Sequence, residues 1–205
     1  MTTMRARGLT KDNVASAALG LLDDVGLPDV TMRRIAASLG VQPSALYWYF
    51  PNKQTLLAEL ADRILDGRAS ESVDADWPVL LRGEATALRE ALLAYRDSAE
   101  VVSSTMALGL GSDGAATRLA TALRTSPFTE VTVRRAAATL THFILGHVSL
   151  EQQRLHYDSL GARTSRPVML DDSAGANDFA FGVDVIVQGL EVLDRSAERA
   201  ARSNE

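Results

Sequence analysis

The residues best suited to recognising a partner lie between positions 42 and 53. Small and hydrogen-bonding side chains come first, four adjacent aromatic residues follow, and a lysine closes the stretch. Glutamine and serine can hydrogen-bond the edges of bases, alanine and proline can touch a thymine methyl group, and tyrosine hydroxyls and lysine can bind phosphates. The chemistry of this stretch therefore indicates a surface that reads DNA.

Two short helices would hold these residues in place. The pattern predicts one helix that begins at Thr31 and stops at Gly40, and a second that runs from Pro43 to Tyr49. A short helix, a glycine turn and a second short helix with polar residues at its start form a helix-turn-helix, whose second helix enters the major groove. We therefore expect a helix-turn-helix from Thr31 to Tyr49.

The side chains of this motif fall into two expected roles. Contacts with base edges are expected from Gln42, Pro43, Ser44 and Ala45. Contacts with phosphates, which fix the register on the duplex, are expected from Thr31, Arg33, Tyr47, Tyr49 and Lys53. Lys53 is doubly suited, because the start of the next helix adds backbone donors and a favourable dipole.

The aromatic run supports this interpretation. Four adjacent aromatic residues point around most of a helix, so they cannot all enter one core. Leu46 and Phe50 are predicted to be the buried pair, which leaves Tyr47 and Trp48 exposed to a partner. Trp48 is therefore counted among the DNA-binding residues. The alternative is a mere packing module, because short amphipathic helices joined by glycine occur in many all-α proteins.

Helical spacing of apolar residues recurs along the whole chain. Beyond the motif, helices are predicted at about 10–25, 53–66, 78–96, 97–108, 115–124, 129–157 and 177–202, with a linker at 67–77 and a long loop at 158–178. No segment shows sustained strand alternation, so the predicted fold class is all-α. We expect an N-terminal three-helix helix-turn-helix domain at residues 1–66, joined to a C-terminal helical bundle at residues 67–205.

The composition narrows the classes of function further. The 205-residue chain has no cysteine, which excludes a disulfide scaffold, a thiolate zinc site and a thiol nucleophile. Its net charge of −5 gives no general attraction to nucleic acid, but residues 1–60 carry six basic and five acidic side chains, so the acidity lies in the remainder. No apolar run approaches a membrane span, and the N-terminus lacks the apolar core of a signal peptide. We therefore expect a cytoplasmic protein with no membrane partner.

No catalytic or metal-binding arrangement is apparent. The three histidines fall on one predicted helix, where His142 and His147 lie about 140° apart around the axis. His142 and His156 share a side but lie about 21 Å apart along the axis, so the three cannot form one metal site. No local Ser/His/Asp or paired-carboxylate arrangement stands out. We expect no enzyme, no metal and no cofactor.

The last predicted helix is apolar on more than one face. One stripe comprises Phe179, Val183, Ile186, Val187, Leu190 and Leu193, while Phe181, Val185 and Val192 lie on other faces. A helix of this kind needs two neighbours to bury it. A two-fold interface of four helices, built from this helix and that of residues 129–157, would supply the second neighbour. The alternative is a central helix in a monomeric bundle.

The N-terminal part of the chain resembles a known family. The resemblance rests on Val30–Ala36, Leu39–Val41, Ala45–Lys53 and Leu56-Leu57. These residues resemble the DNA-binding domain of the TetR family of transcriptional regulators over residues 9–66, and Leu46-Tyr47-Trp48 resembles its tetracycline-repressor branch. Weaker similarity continues through Trp77, Leu92–Asp97, His142-Phe143, Leu145-Gly146 and Phe181–Glu191, and so covers the whole chain.

The resemblance implies a function and its partners. A homodimeric repressor would bind pseudo-palindromic, double-stranded operator DNA, and a small-molecule inducer bound in the C-terminal domain would release it. Effector contacts are implied at Leu88, Val102, Thr105, His142 and Phe143. The alternative function is an all-α small-molecule-binding or helical interaction protein without sequence-specific DNA binding, and an enzyme is the weakest hypothesis.

The effector is not expected to be tetracycline with magnesium. Tetracycline repressors hold that complex with histidines and a nearby acid. Val101-Val102 stands here where one such histidine is expected, and Arg68-Ala69 stands where a drug-contacting histidine would fall. His142 is in a matching place, but Leu150 occupies the position expected for the acid, one residue from Glu151.

Overall fold

The computed structural model describes residues 8–66, 75–111, 113–159 and 172–202. Throughout these ranges it contains helices and no strand, which confirms the predicted all-α class. In chain order the helices are α1 Lys11–Val25, α2 Met32–Ser38, α3 Pro43–Leu46, α4 Lys53–Leu65, α5 Trp77–Leu93, α6 Ser98–Ala107, α7 Gly114–Ala122, α8 Glu130–Ser159 and α9 Asp172–Arg202. None of the helices in the described ranges combines the length and apolarity that a membrane crossing requires.

Polar residues start the N-terminal helices at the predicted positions. Thr10 accepts a hydrogen bond from the backbone N–H of Asn13, and the side chain of Asn13 accepts one from the N–H of Thr10. Asn52 and Thr55 form the same reciprocal capping box at the start of α4. These bonds satisfy N–H groups that have no partner within the helix, so they fix where each helix begins.

The contacts divide the chain into two compact units. One comprises Met1–Asp66 with Leu92–Ser112, and the other comprises Gly67–Ala91 with Asp113–Glu205. In the first unit α6 packs on α4, so a segment far along the chain returns to the N-terminal helices. The predicted functional division into residues 1–66 and 67–205 stays a prediction, since grouping by contacts does not assign function.

The first unit has an apolar core that the helical spacing largely anticipated. Its fully buried side chains include Val14, Ala18, Leu22, Ile35, Leu46, Leu56, Leu60 and Val101. Leu21 and Leu39 are only partly buried. The third helix is shorter than expected and ends at Leu46, because the N–H groups of Tyr49 and Phe50 both donate to the Leu46 carbonyl and close a turn there.

The second unit packs α5, α7, α8 and α9 around apolar side chains and buried charges. Its buried apolar residues include Leu81, Leu88, Leu119, Leu140, Val148, Phe179, Val183 and Val187. The long loop expected at residues 158–178 was partly wrong. The helix α8 continues to Ser159 and α9 begins at Asp172 rather than near residue 177, while residues 160–171 lie outside the described part. Aspartate and serine at 172–173 pointed to a loop, yet the same residue types also favour the start of a helix.

Candidate DNA-reading surface

A glycine turn orients α3 relative to α2. Gly40 has a φ of 66°, a left-handed conformation that glycine adopts without steric cost. The N–H of Gly40 donates to Ala37, and the N–H of Val41 donates to Ala36, which ends α2 cleanly. The predicted order of short helix, glycine turn and short helix is therefore present, with α3 starting at Pro43.

Leu46, which ends α3, and the aromatic residues that follow it divide between core and solvent as predicted. Leu46 and Phe50 are 0% and 2% exposed and anchor α3 in the core of the first unit. Tyr47 and Trp48 are 49% and 90% exposed. An exposed indole beside an exposed phenol is unusual on a solvated surface, so this turn presents a contact surface to a partner.

The residues expected to read bases lie at the start of α3. Gln42 and Ser44 are exposed, while Pro43 and Ala45 are partly buried. Gln42 occupies the N-cap position, but its side chain makes no capping bond there. Its amide can therefore extend to a base edge without breaking the helix start.

Most of the residues expected to bind phosphates retain that capacity. Thr31 accepts a hydrogen bond from the N–H of Arg34 and keeps its own hydroxyl hydrogen for another acceptor. Arg33 is exposed and forms no ion pair with a residue that the structure describes. The ammonium of Lys53 lies 3.4 Å from the Leu27 carbonyl and has further N–H groups to donate.

Tyr49 makes a hydrogen bond that the sequence did not predict. Its hydroxyl donates a 2.6 Å hydrogen bond to the backbone carbonyl of Leu9. A phenol has one hydrogen, so that hydrogen is not available to a phosphate in this conformation. A direct phosphate contact through that hydrogen would require this bond to open, and the contact stays a prediction.

Ion pairs neutralise several cations of the first unit. Lys11 pairs with Glu59 at 2.5 Å, and Arg63 bridges Asp12 and Glu59 at 2.8 Å and 3.0 Å. The hydrogen bond from Lys11 lowers the pKa of Glu59, outweighing the burial that raises it. Burial opposes the charged form of Arg63, yet its hydrogen bonds to Asp12 and Glu59 raise its pKa overall. These charges hold α1 to α4, so they add little positive charge for DNA.

The implied effector residues belong to different parts of the molecule. Val102 and Thr105 lie in the first unit and are buried, and the Thr105 hydroxyl bonds the carbonyls of Val101 and Val102. Leu88, His142 and Phe143 lie in the second unit, where Leu88 is fully buried, Phe143 is partly buried and His142 is exposed. The shared effector role of these five residues stays a prediction.

The sequence interpretation placed His147 on its helix but did not predict its contacts in the second unit. His147 contacts the rings of Phe143 and Phe179 at centroid distances of 5.7 Å and 5.3 Å. Its Nε2 lies 3.9 Å from a carboxylate oxygen of Glu151, which also pairs with the buried Arg89. The spacing of Phe143, His147 and Glu151, four residues apart on one face of α8, was the signal that could have found it.

The two long helices of the second unit expose apolar side chains. Of the last-helix stripe, Phe179, Val183, Val187 and Leu190 are buried, while Leu193 is exposed. Apolar residues exposed on α8 and α9 include Val131, Leu150, Leu155, Phe181, Val185, Val192 and Leu193. A groove of about 520 Å³ runs between the two helices, with Ala136, Thr139, Ile186 and Gly189 among its lining residues. Exposed apolar side chains on two neighbouring helices, with a groove between the helices, indicate an interface.

Comparisons with known proteins agree with this architecture. The family model for bacterial regulatory proteins of the tetR family matches residues 14–60, and the tetracyclin repressor-like C-terminal domain matches residues 71–176. The tetracycline repressor protein class C of Escherichia coli is 35% identical over 203 residues, covering 90% of this chain and 92% of its own length. The class G repressor of Vibrio anguillarum is 37% identical over 205 residues, covering 90% and 95%.

Solved structures give the same result. The crystal structure of Mycobacterium smegmatis BioQ matches with a TM-score of 0.77 and 38% identity, covering 89% of this chain and 98% of that one. BioQ bound to its double-stranded DNA operator matches with a TM-score of 0.71 and 35% identity, over the same shares of the two chains. A TetR variant from Acinetobacter baumannii AYE in complex with minocycline matches with a TM-score of 0.74 and 31% identity, covering 91% and 99%.

These matches decide between the hypotheses drawn from the sequence. They favour a DNA-binding regulator over a helical interaction protein without DNA binding, and they give no support to an enzyme. Two family models and relatives of more than 30% identity together span nearly the whole chain. The chain therefore belongs to the tetR family of bacterial regulatory proteins and is a homodimeric, ligand-responsive, DNA-binding transcriptional repressor.

Proposed function

We propose that each subunit of the dimer places α3 in one major groove of a pseudo-palindromic operator. The observation that carries this proposal is the burial pattern of residues 46–50, in which Leu46 and Phe50 anchor α3 while Tyr47 and Trp48 face solvent. Gln42, Pro43, Ser44 and Ala45 then meet base edges. Thr31, Arg33, Tyr47, Trp48 and Lys53 contact the backbone on either side. This function is exercised in the cytoplasm, where the DNA lies.

The dimer uses α8 and α9 as its shared interface. The support is the exposed apolar surface on these two helices and the groove between them. Two such helix pairs bury this surface in a four-helix bundle with two-fold symmetry. The same symmetry sets the spacing of the two reading helices, so operator half-sites repeat at about 34–36 Å or multiples of it.

The effector binds in the C-terminal domain and releases the operator by moving α4. Support comes from the packing of α6 on α4 within the first unit, because a displacement of α6 shifts the helix that carries the reading surface. A shift of a few ångströms takes one of two rigidly spaced helices out of register with its groove. Repression is therefore lost without any loss of fold.

The residues present do not fit a histidine-held magnesium ion with tetracycline. Val101 and Val102, at the position expected for one histidine, are buried aliphatic side chains without a donor atom. His142 is exposed, and Leu150, at the position expected for the acid, is 56% exposed. In the described ranges no three His, Asp or Glu side chains come together as a metal site. The effector is an organic molecule bound without a histidine-coordinated metal.

Replacing Tyr47 by alanine tests the proposed reading surface. Each subunit loses a hydrogen bond of about 1 kcal/mol, so operator affinity of the dimer should fall roughly 10- to 100-fold. Thermal stability should hardly change, because Tyr47 is half exposed. Val79→Ala, on α5 and similarly exposed, is the control and should retain affinity. Unchanged affinity for Tyr47→Ala contradicts the proposal, and a large loss of stability makes Tyr47 a core residue.

A further inference from the structure

A groove of about 280 Å³ lies where the residues that start α1 meet the end of α3. Its lining residues are Leu9, Ser44, Ala45, Trp48 and Tyr49. Ser44 and Ala45 are among the residues proposed to meet base edges, and both Ser44 and Trp48 are exposed. The groove is therefore continuous with the surface that reads DNA, and whatever fills it in the complex belongs to the duplex.

Two polar groups of the lining satisfy each other. The hydroxyl of Tyr49 donates its one hydrogen to the carbonyl of Leu9, which lies 2.6 Å away. A carbonyl and a phenol hydrogen that lacked this bond would each need a polar partner from the ligand or from water. With the bond in place, Leu9 and Tyr49 contribute an aliphatic side chain and an aromatic ring to the groove.

The chemistry of the lining selects an apolar occupant. None of the five lining residues is charged, so the groove lacks the cation that favours a phosphate. Ala45 adds a methyl group, and Trp48 adds an indole ring. Base edges in the major groove present hydrogen-bond donors and acceptors and one apolar group, the methyl group of thymine. The volume is several times the roughly 30 Å³ that a water molecule occupies in the liquid, so a methyl group enters without rearrangement.

We propose that this groove receives the methyl group of one thymine in each operator half-site. The inference rests on the proposed operator binding by α3 and adds the identity of one base pair. Ala45 was expected from the sequence to touch a thymine methyl group, and the structure adds the walls that surround such a group. Leu9, which precedes α1, thereby becomes a specificity-determining residue that lies outside the helix in the major groove.

Replacement of thymine by deoxyuridine tests the proposal, because it removes the methyl group and leaves the hydrogen bonds of the base pair unchanged. Operator duplexes carry one symmetric pair of replacements at a time, and the affinity of the full-length dimer is measured for each. One pair should stand out, with affinity lower by about four-fold for each methyl group and roughly 15-fold for both. Replacements outside the protected region are the control and should leave affinity unchanged.

Two protein variants show whether this groove is what contacts the sensitive thymine. Leu9→Ala shortens one wall, and Ala45→Ser adds a hydroxyl to the lining. Each should bring the ratio of affinities for the thymine and deoxyuridine operators toward unity. Both operators are compared with the same protein, so a partial loss of fold does not change the ratio. Leu108→Ala, an exposed leucine that follows α6 in the same unit, is the matched control and should keep the ratio of the parent.

Three outcomes overturn the inference. Affinity that is insensitive to every thymine replacement shows that no methyl group is bound. A ratio that stays at the parent value in both groove variants shows that the methyl group is bound elsewhere. Variants that weaken both operators equally show that the groove holds sugar or phosphate instead. A parent protein that forms no sequence-specific complex overturns the proposed operator binding as well, whereas the three outcomes above overturn the inference alone.

Photocrosslinking gives an independent measurement. Iododeoxyuridine carries iodine in place of the thymine methyl group and crosslinks to adjacent aromatic side chains on irradiation. Placed at the sensitive position, it should crosslink to Trp48 or Tyr49, which line the groove, and mass spectrometry identifies the residue. A crosslink confined to Tyr47, or to another residue outside the groove, contradicts the proposal.

Discussion

Asp97 is a residue of the α5–α6 connection on which the stability of the N-terminal helices should depend. Its φ is 53°, a left-handed conformation, and it precedes α6 without capping that helix through its side chain. Its Oδ2 instead accepts a 2.8 Å hydrogen bond from the N–H of Leu27, two residues after the end of α1. The adjacent N–H of Arg96 donates to Asp23 on α1 at 3.2 Å. These two hydrogen bonds join α1 and the turn after it to the α5–α6 connection, some seventy residues later in the chain.

The cost of losing the Asp97 carboxylate follows from these contacts. Leu27 is only 8% exposed, and Asp97→Ala leaves its N–H without this acceptor. A hydrogen bond to a charged group contributes about 1.5–3 kcal/mol, and alanine in a left-handed conformation costs about 1 kcal/mol more. We expect Asp97→Ala to lower the free energy of unfolding by about 2.5–4 kcal/mol. Asp97→Asn keeps an acceptor and tolerates this φ, so it should cost less than about 1 kcal/mol.

Urea unfolding at one fixed protein concentration measures the difference, because the stability of a dimer depends on concentration. Asp113→Ala is the matched control, since Asp113 also precedes a helix, α7, without a side-chain capping bond. It should change stability by less than about 0.5 kcal/mol. The reasoning is refuted if Asp97→Ala costs no more than Asp97→Asn, or no more than Asp113→Ala.

Two further predictions concern charge and close packing. The hydrogen bond from Lys11 lowers the pKa of Glu59 below its ordinary value of 4.5, so this stabilisation is present above pH 4.5 and is lost as the pH falls through the lower, folded-state pKa. Urea unfolding of Glu59→Gln should show lower stability than the parent at pH 7 and converge with it at acid pH; parallel curves contradict this. Gly182→Ala should cost about 1–3 kcal/mol, because its new Cβ collides with the Phe143 ring. Gly20→Ala on α1 is the control: its new Cβ would have no neighbouring atom within 4 Å, so the change should be neutral or stabilising. Equal melting temperatures for the Gly182→Ala and Gly20→Ala variants would show that the close approach at Gly182 is absent.

Features that depend on neighbouring residues were predictable from the sequence. Helical geometry fixes which side chains meet when they are at most four positions apart. The caps at Thr10 and Asn52 and the shared face of Leu46 and Phe50, which are both buried, follow from such short spacings. The same spacing predicted the exposure of Tyr47 and Trp48, since a side chain that cannot enter the core must face outward.

Features that depend on distant parts of the chain were not predictable in this way. The bond from Tyr49 to Leu9 and the bond from Leu27 to Asp97 join residues 40 and 70 positions apart. No periodic pattern encodes such a meeting, so Tyr49 was interpreted as a phosphate contact. His147 falls between the two cases, because its face on α8 follows from spacing but its neighbour Phe179 comes from α9.

Footprinting on the DNA upstream of the repressor's own or a neighbouring gene tests the central claim most directly. The parent protein should protect an inverted repeat whose half-site centres lie one helical turn, about 34–36 Å, or a multiple of it apart. Tyr47→Ala/Trp48→Ala should remove that protection while the dimer stays folded. A region with no protected inverted repeat, or equal protection by the double variant, would contradict recognition through α3.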